Sequence, residues 1–289
     1  MSTRAPVSCS EVSGDVIQKA YPEQSKGLFI LAESTKKGVG VAFLEGPPPR
    51  VIAHRGLALE AAENTPGAFQ AALDAGADIL ETDVHLSKDG QVIIAHDPDL
   101  ARVAGREGFV SDFTAAELAR MDLGFGEGFP TLAEVLERFP RARFNIDVKT
   151  PAVIDAFVDT VISTGSRERV LVASFDEASR ASAAAQIGNV ASSATSSHVL
   201  AGRLISAFGL PLGLWKVPPG IVALQVPPTY GGLALVTPQL VGLAKRKGLE
   251  VHVWTINEPH QMERLWRLGV SGIVTDRADL AVEVRETLT

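Results

Sequence analysis

Between Ile79 and Asp97, in the stretch ILETDVHLSKDGQVIIAHD, Glu81 and Asp83 stand two residues apart behind an apolar run. Alternate side chains of a strand share a face, so these two carboxylates project together. Hard oxygen ligands at that spacing suit Mg²⁺ or Ca²⁺. Asp89-Gly90 between two strand-like runs marks a hairpin, and the returning arm brings His96 towards the carboxylates. A histidine there suits proton transfer near neutral pH. Acidic residues at a strand end are more often only solvated, and a lone histidine is more often structural. The other polar residues at strand ends therefore decide between the two readings.

Those residues extend the chemistry. His54-Arg55-Gly56 follows the apolar run Val51-Ile52-Ala53, Asp147 and Lys149 close RFNIDVK, and Trp254 closes the run from Glu250. Asp147 joins Glu81 and Asp83 as a third candidate metal ligand, with water completing the shell. Arg55, Lys149 and a metal together make an anion site, for which phosphate is the fitting guest. His54 and His96 supply a base and an acid on opposite sides of the phosphorus, as in-line displacement requires. Trp254 offers an apolar wall for the organic part of the substrate. The spacing thus points to metal-dependent phosphoryl transfer or hydrolysis.

The elements that must position these groups alternate regularly. Eight strand-then-helix units can be read from about residue 50 to the C-terminus. Their strands are short and rich in Val and Ile, as strands buried on both faces are. Asn64-Thr65-Pro66 opens the first helix, with a cap and a first-turn proline. Eight such units imply an α/β fold, a (βα)₈ TIM barrel, whose active site lies at the C-terminal ends of the strands. The candidate residues occupy those ends. Residues from about 98 to 129 break the pattern and are expected to be a small insertion after the second strand region, with one short helix beginning at Ser111-Asp112. Residues 1–49 differ in composition and end in Glu45-Gly46-Pro47-Pro48-Pro49; they are expected to be a peripheral or poorly ordered leader before a barrel spanning 50–289.

Composition narrows the function classes. The 289 residues are 46% hydrophobic, enough for one barrel-sized core. The net charge of -7 is spread along the chain without a basic run, which argues against nucleic-acid binding and against binding to anionic membranes. Cys9 is the only cysteine, so neither an intrachain disulfide nor a cysteine-based zinc site is available. No apolar stretch has the length of a signal peptide or a membrane span, so a cytoplasmic location without stable membrane insertion is expected. Oligomeric state is not legible.

His54-Arg55-Gly56, Glu63-Asn64-Thr65, Glu81-Thr82-Asp83, Lys88-Asp89-Gly90 and His96-Asp97 together resemble the glycerophosphodiester phosphodiesterase family in order and spacing. Pro130-Thr131-Leu132, the strand ending in Lys149 and the run Val253 to Asn257 extend the resemblance from about Arg50 to the C-terminus. It implies His54 and His96 as the acid/base pair, Glu81, Asp83 and Asp147 as metal ligands, Arg55 and Lys149 as phosphate-holding cations, and Mg²⁺ or Ca²⁺ as cofactor. It further implies hydrolysis of a small-molecule glycerophosphodiester to glycerol 3-phosphate and an alcohol. The third ligand in the family is usually Glu, and here it is Asp147, shorter by one methylene. Two alternatives stand beside this reading: a phospholipase D-type cleavage of lysophospholipids, and a non-catalytic barrel that binds a phosphorylated ligand.

Several residues are read as structural. His85 is expected to support the site rather than react, and His252 to be a satisfied core histidine. His198 and His260 are expected at the surface, Trp215 and Trp266 in packing, and Asn257 at a helix start. Glu63 is expected to bond to the loop after the first strand, and Gln225 stands where it can reach substrate. The apolar residues from Leu200 to Trp215 are expected mostly to pack on the barrel, with part available as a lip for lipid-like substrates.

Overall fold

The structure is a computed structural model, and it describes residues 42–288. Most of the expected leader, residues 1–41, lies outside the described residues. The eight barrel strands are β1 (Arg50–His54), β2 (Ile79–Leu86), β3 (Phe144–Val148), β4 (Val170–Ala173), β5 (Ala191–Ala194), β6 (Ile221–Val226), β7 (Glu250–Val253) and β8 (Gly272–Thr275). They pair in parallel around a closed ring, β1 meeting both β2 and β8. The (βα)₈ barrel read from the alternation of apolar runs is therefore the observed fold.

Register sets the site. His54 pairs with Glu81, Glu81 with Asn145, and Asp83 with Asp147. His54, Glu81 and Asn145 are thus register partners across three consecutive strands, and Asp83 and Asp147 lie two residues further along their strands towards the mouth. The barrel helices are α1 (Pro66–Asp74), α2 (Leu132–Arg138), α3 (Ile154–Ser163), α4 (Glu177–Ile187), α5 (Ser196–Ala207), α6 (Pro238–Arg246), α7 (Pro259–Arg267) and α8 (Ala278–Glu286). Thr65, Thr131, Asp176 and Thr237 cap α1, α2, α4 and α6 with side-chain oxygens. Proline in the first turn of α1, α6 and α7 costs no hydrogen bond.

The barrel floor is closed by residues just ahead of β1. Phe43 is buried among Ile52, Ile79, Leu171 and Val222. Arg50 donates to the carbonyls of Leu44, Glu45 and Gly46, and Arg143 donates to those of Phe43 and Glu45. Inside, Arg50 also grips Glu250 at 2.8 Å, and Glu250 meets His252 Nε2 at 2.9 Å. These paired charges allow ionised groups to sit deep in the fold. His252 is therefore a core histidine with one satisfied nitrogen, while its Nδ1 has no partner among the described residues.

The hairpin read from Asp89-Gly90 is present, with Val92–Ile94 antiparallel to the end of β2. The segment that follows packs Leu100, Val110, Leu118, Met121 and Phe129 against Ile93 and Ala95 as a small separate cluster. Its helices differ from expectation. Ser111 and Asp112 lie in a single 3₁₀ turn, Val110–Asp112, and the helical turn begins at Ala115. Thr114 and Glu117 close a reciprocal capping box there. A further short helix, Ala101–Ala104, was not foreseen. Nor was the hairpin of Thr229–Tyr230 and Leu233–Ala234 in the loop after β6.

Candidate active site

One cavity of about 580 Å³ opens at the C-terminal ends of the strands. His54, Arg55, Glu81, Asp83, His96, Asp147, Lys149 and Trp254 all line it. The turn after β1 explains two of these placements. Arg55 adopts φ 56° and Gly56 φ 86°, which swings the chain sharply outward. A Cβ on Gly56 would lie 2.6 Å from the Ala68 carbonyl carbon, so only glycine lets α1 approach so closely. The Arg55 N–H donates to both the backbone and the side chain of Glu81, at 3.0 and 3.1 Å. Asn64, at φ 60°, accepts from Thr82 Oγ1 at 2.7 Å and donates to Asp83 at 3.5 Å. The Glu63-Asn64-Thr65 turn thereby braces the strand that carries the acidic pair.

Glu81, Asp83 and Asp147 are all buried. Burial, followed by repulsion from Asp83 and Asp147, pushes the Glu81 carboxyl well above its ordinary range. Burial also raises Asp147, although Lys149 pulls the other way. Lys149 Nζ lies 2.7 Å from Asp83 and 2.7 Å from Asp147, bridging the two. Burial opposes its charge, but the two carboxylates more than offset this and hold its pKa above the usual lysine value. Arg55 adds a contact of 3.7 Å to Asp83 and leaves its own Nε without a hydrogen bond.

In and around the cavity, among the described residues, Glu63, Glu81, Asp83, Asp97, Asp147 and Asp276 stand beside Arg55, Arg102 and Lys149. An anion entering this field needs further positive charge, and the oxygen-only donors fit a hard divalent cation. Their arrangement is less complete. Among the described residues no group of three or more His, Cys, Asp or Glu is spaced to hold a metal. Lys149 lies between two of the three carboxylates, 2.7 Å from each.

Both histidines are anchored at Nδ1. His54 meets Asp276 Oδ1 at 2.6 Å, and its Nε2 faces Glu81 at 4.0 Å. Asp276 Oδ2 accepts from Asn257 at 2.7 Å, while the Asn257 carbonyl oxygen accepts from the Asp276 N–H and from Thr275 Oγ1. His54 and Asn257 hold the Asp276 carboxyl below its ordinary range. Neither Asp276 nor this function of Asn257 was found by sequence reasoning. The one signal for them is the polar Thr275-Asp276 step at the end of the last strand. His96 meets Asp97 at 2.7 Å, and Arg102 of the inserted segment forks between Asp97 and Glu63. Glu63 in turn accepts from Arg55 at 3.1 Å, so it does bond to the loop after β1. His85 Nε2 meets the His96 carbonyl at 3.1 Å and supports that loop from below.

The opposite wall is apolar. Phe175 and Trp254 meet edge to face at 6.0 Å, and Val199, Leu200, Pro227 and Leu235 continue the surface. It extends to an exposed rim, where Phe175 is 69%, Leu200 57%, Tyr230 76% and Leu233 73% accessible. Trp215 packs instead beneath α5, fully buried against Gly202, with Nε1 donating to the His198 carbonyl. His198 is not the surface residue expected: its ring is largely covered and bonds to Thr195 at 3.2 Å. His260 is exposed as expected.

At the mouth of a (βα)₈ barrel, anchored histidines, buried carboxylates and paired cations are groups able to hold an anion and move protons. Residues 54–280 match the model of the glycerophosphoryl diester phosphodiesterase family, and the chain belongs to that family. It is accordingly a phosphoric diester hydrolase. Among its relatives, the glycerophosphodiester phosphodiesterase of Caldanaerobacter subterraneus is 34% identical, covering 81% of this chain and 96% of that protein. A human lysophospholipase D is 30% identical over 78% of this chain and 82% of its own length. In fold, the chain is similar to an Oleispira antarctica phosphodiesterase solved with its product sn-glycerol-3-phosphate. That likeness has a TM-score of 0.66 at 24% identity and covers 83% of this chain and 96% of the other. No helix among the described residues is long and apolar enough to cross a membrane.

Proposed function

We propose that this chain hydrolyses glycerophosphodiesters to glycerol 3-phosphate and an alcohol, using residues 50–289 as the barrel and the segment from about 98 to 129 as an insertion beside its mouth. The observation that carries the reading is that His54 and His96 both line the cavity that holds Lys149 and Arg55, each tied at Nδ1 to a carboxylate. Two imidazoles, each oriented by a carboxylate, suit proton transfer on two oxygens of the same phosphorus. Glu81, Asp83 and Asp147 are the residues that would hold Mg²⁺ or Ca²⁺, which supplies Lewis-acid polarisation of the phosphoryl oxygens when bound.

The chain's own groups do the rest. Arg55 and Lys149 attract the diester anion and fix its oxygens. With Nδ1 bonded to Asp276 or Asp97, each imidazole keeps Nε2 for the substrate. One imidazole takes the proton of the attacking group as the new P–O bond forms; that group is water, or it is the glycerol 2-hydroxyl, in which case water then opens the cyclic phosphate in a second step of the same kind. The other gives a proton to the departing alkoxide as the old P–O bond breaks. Trp254 and Phe175 cover the organic part and keep bulk water from it. The sn-glycerol-3-phosphate bound by the Oleispira phosphodiesterase supports the same product here.

The test is release of glycerol 3-phosphate from glycerophosphocholine, with EDTA and then with Mg²⁺ or Ca²⁺ restored. Metal-dependent release that is lost in His54→Ala and His96→Ala supports the reading. Unimpaired turnover in His96→Ala refutes the acid/base roles, and ligand binding without turnover in the wild type makes the chain a binding barrel. The exposed rim of Phe175, Leu200, Tyr230 and Leu233 favours a second reading, in which the substrate is a lysophospholipid. Lysophosphatidylcholine cleaved faster than glycerophosphocholine, with the advantage lost in a Tyr230→Ser/Leu233→Ser variant, would replace the first reading by the second.

A further inference from the structure

Two amide side chains in the cavity make no hydrogen bond to any described residue. Asn145 on β3 is only 5% exposed, and its Oδ1 is buried and unpaired. Gln225 near the end of β6 has a buried Nε2 without a partner. Buried polar atoms are nearly always bonded, so two orphans in one cavity ask for a ligand that completes them. They stand on walls separated by β4 and β5, and one offers an acceptor where the other offers a donor. Asn145 is also the register partner of Glu81 on the neighbouring strand, beside the acidic residues and not beside the Arg55–Glu63 pair.

A hydroxyl is the neutral group that both donates and accepts, and a diol presents two of them. The phosphate has its own partners in Arg55 and Lys149, and the rim is apolar. The amides therefore suit the remaining part of the substrate. We propose that Asn145 and Gln225 read the hydroxyls of the glycerol moiety, Asn145 Oδ1 accepting from one and Gln225 Nε2 donating to another. The inference rests on the glycerophosphodiester reading and deepens it, by naming what makes the site choose a polyol over a plain alkyl ester. A site with polar groups set for a hydroxyl discriminates strongly against an analogue that lacks it, because those groups are then left buried and unpaired.

The test is calorimetric titration of the metal-loaded full chain with sn-glycerol 3-phosphate and with n-propyl phosphate, which lacks both hydroxyls. The wild type is expected to prefer sn-glycerol 3-phosphate by about 10–100-fold, and Asn145→Leu and Gln225→Leu each to reduce that preference by about tenfold. Thermal unfolding without ligand gives an independent readout. Replacing an unpaired buried amide by an apolar residue of similar size is expected to leave Tm level or raise it by about 2–4 °C. Equal wild-type binding of the two phosphates overturns the inference while leaving the phosphodiesterase reading in place. So do variants that weaken both ligands by the same factor, or a fall in Tm with the preference intact. Binding of neither phosphate by the wild type would overturn the glycerophosphodiester reading, and this inference with it.

Discussion

Asp276→Asn is the substitution that most directly probes how His54 is used. The carboxylate serves two donors at once, His54 Nδ1–H at 2.6 Å and Asn257 Nδ2–H at 2.7 Å. An amide of the same shape offers one acceptor and one donor. If the oxygen of the introduced amide faces His54, its NH₂ meets the NH₂ of Asn257. If the amide turns over, its NH₂ faces His54 Nδ1 and forces the imidazole proton onto Nε2, the atom directed at the cavity. Either state costs a charge-assisted hydrogen bond and leaves His54 misoriented or in the wrong tautomer. Loss of a correctly held general acid or base lowers kcat by about 10²–10⁴, so a fall of about 10²–10³, or about 3–4 kcal/mol, is expected. The assay is glycerol 3-phosphate release from glycerophosphocholine at saturating metal, with far-UV circular dichroism as the folding check. Adding Asn257→Asp restores a complementary set, because the introduced amide can then accept from His54 and donate to the new carboxylate. The double variant is expected to regain about tenfold in kcat, the difference expected for one well-made hydrogen bond. A single variant within about threefold of wild type, or a double variant no better than the single, would refute the positioning role of Asp276.

Three further outcomes are expected. Mg²⁺ or Ca²⁺ at about 100 times its Kd should stabilise the wild type by about 2.7 kcal/mol, and Glu81→Ala/Asp83→Ala should abolish that response in a thermal melt. Lys149→Met removes the bridge between Asp83 and Asp147, so it should raise KM for the anionic diester and lower kcat/KM by about 10²-fold or more, measured in the same release assay. Glu250→Gln should destabilise the fold by about 3 kcal/mol near neutral pH, read from denaturant melts, because it leaves Arg50 buried without its carboxylate. Burial works against the Glu250 charge, but His252 and Arg50 overcome it and depress the pKa below its ordinary value. A depressed carboxylate stabilises the fold above its unfolded pKa and loses that contribution as pH falls through the folded value. The gap between wild type and Glu250→Gln should therefore close at acid pH, below the ordinary glutamate range.

The order of elements was legible because it rests on local physics. Short Val/Ile-rich runs, caps such as Thr65-Pro66 and Thr237-Pro238, and glycines after the helices each act within a few residues, so alternation and unit count could be read directly. The convergence of His54, Glu81, Asp83, Asp147, Lys149 and Trp254 followed from the same count, since parallel strands in a closed ring place all their C-terminal ends at one mouth. Inside the inserted segment this failed. Its helices are single turns set by packing on Ile93 and Ala95, and composition carries little signal at that length.

What only the tertiary structure decided are the partners. Asp276 lies 222 residues from His54 and reaches it because the last strand closes against the first. Arg102 meets Glu63 across the mouth, Phe43 seals the floor, and Lys149 bridges two carboxylates that were expected to face a metal. The unpaired amides of Asn145 and Gln225 are defined by what does not surround them, which no stretch of sequence records. Periodicity determines which face a side chain takes, because that depends on the residue's own strand. Which group stands opposite depends on register and closure of the whole ring, and these are properties of the folded chain alone.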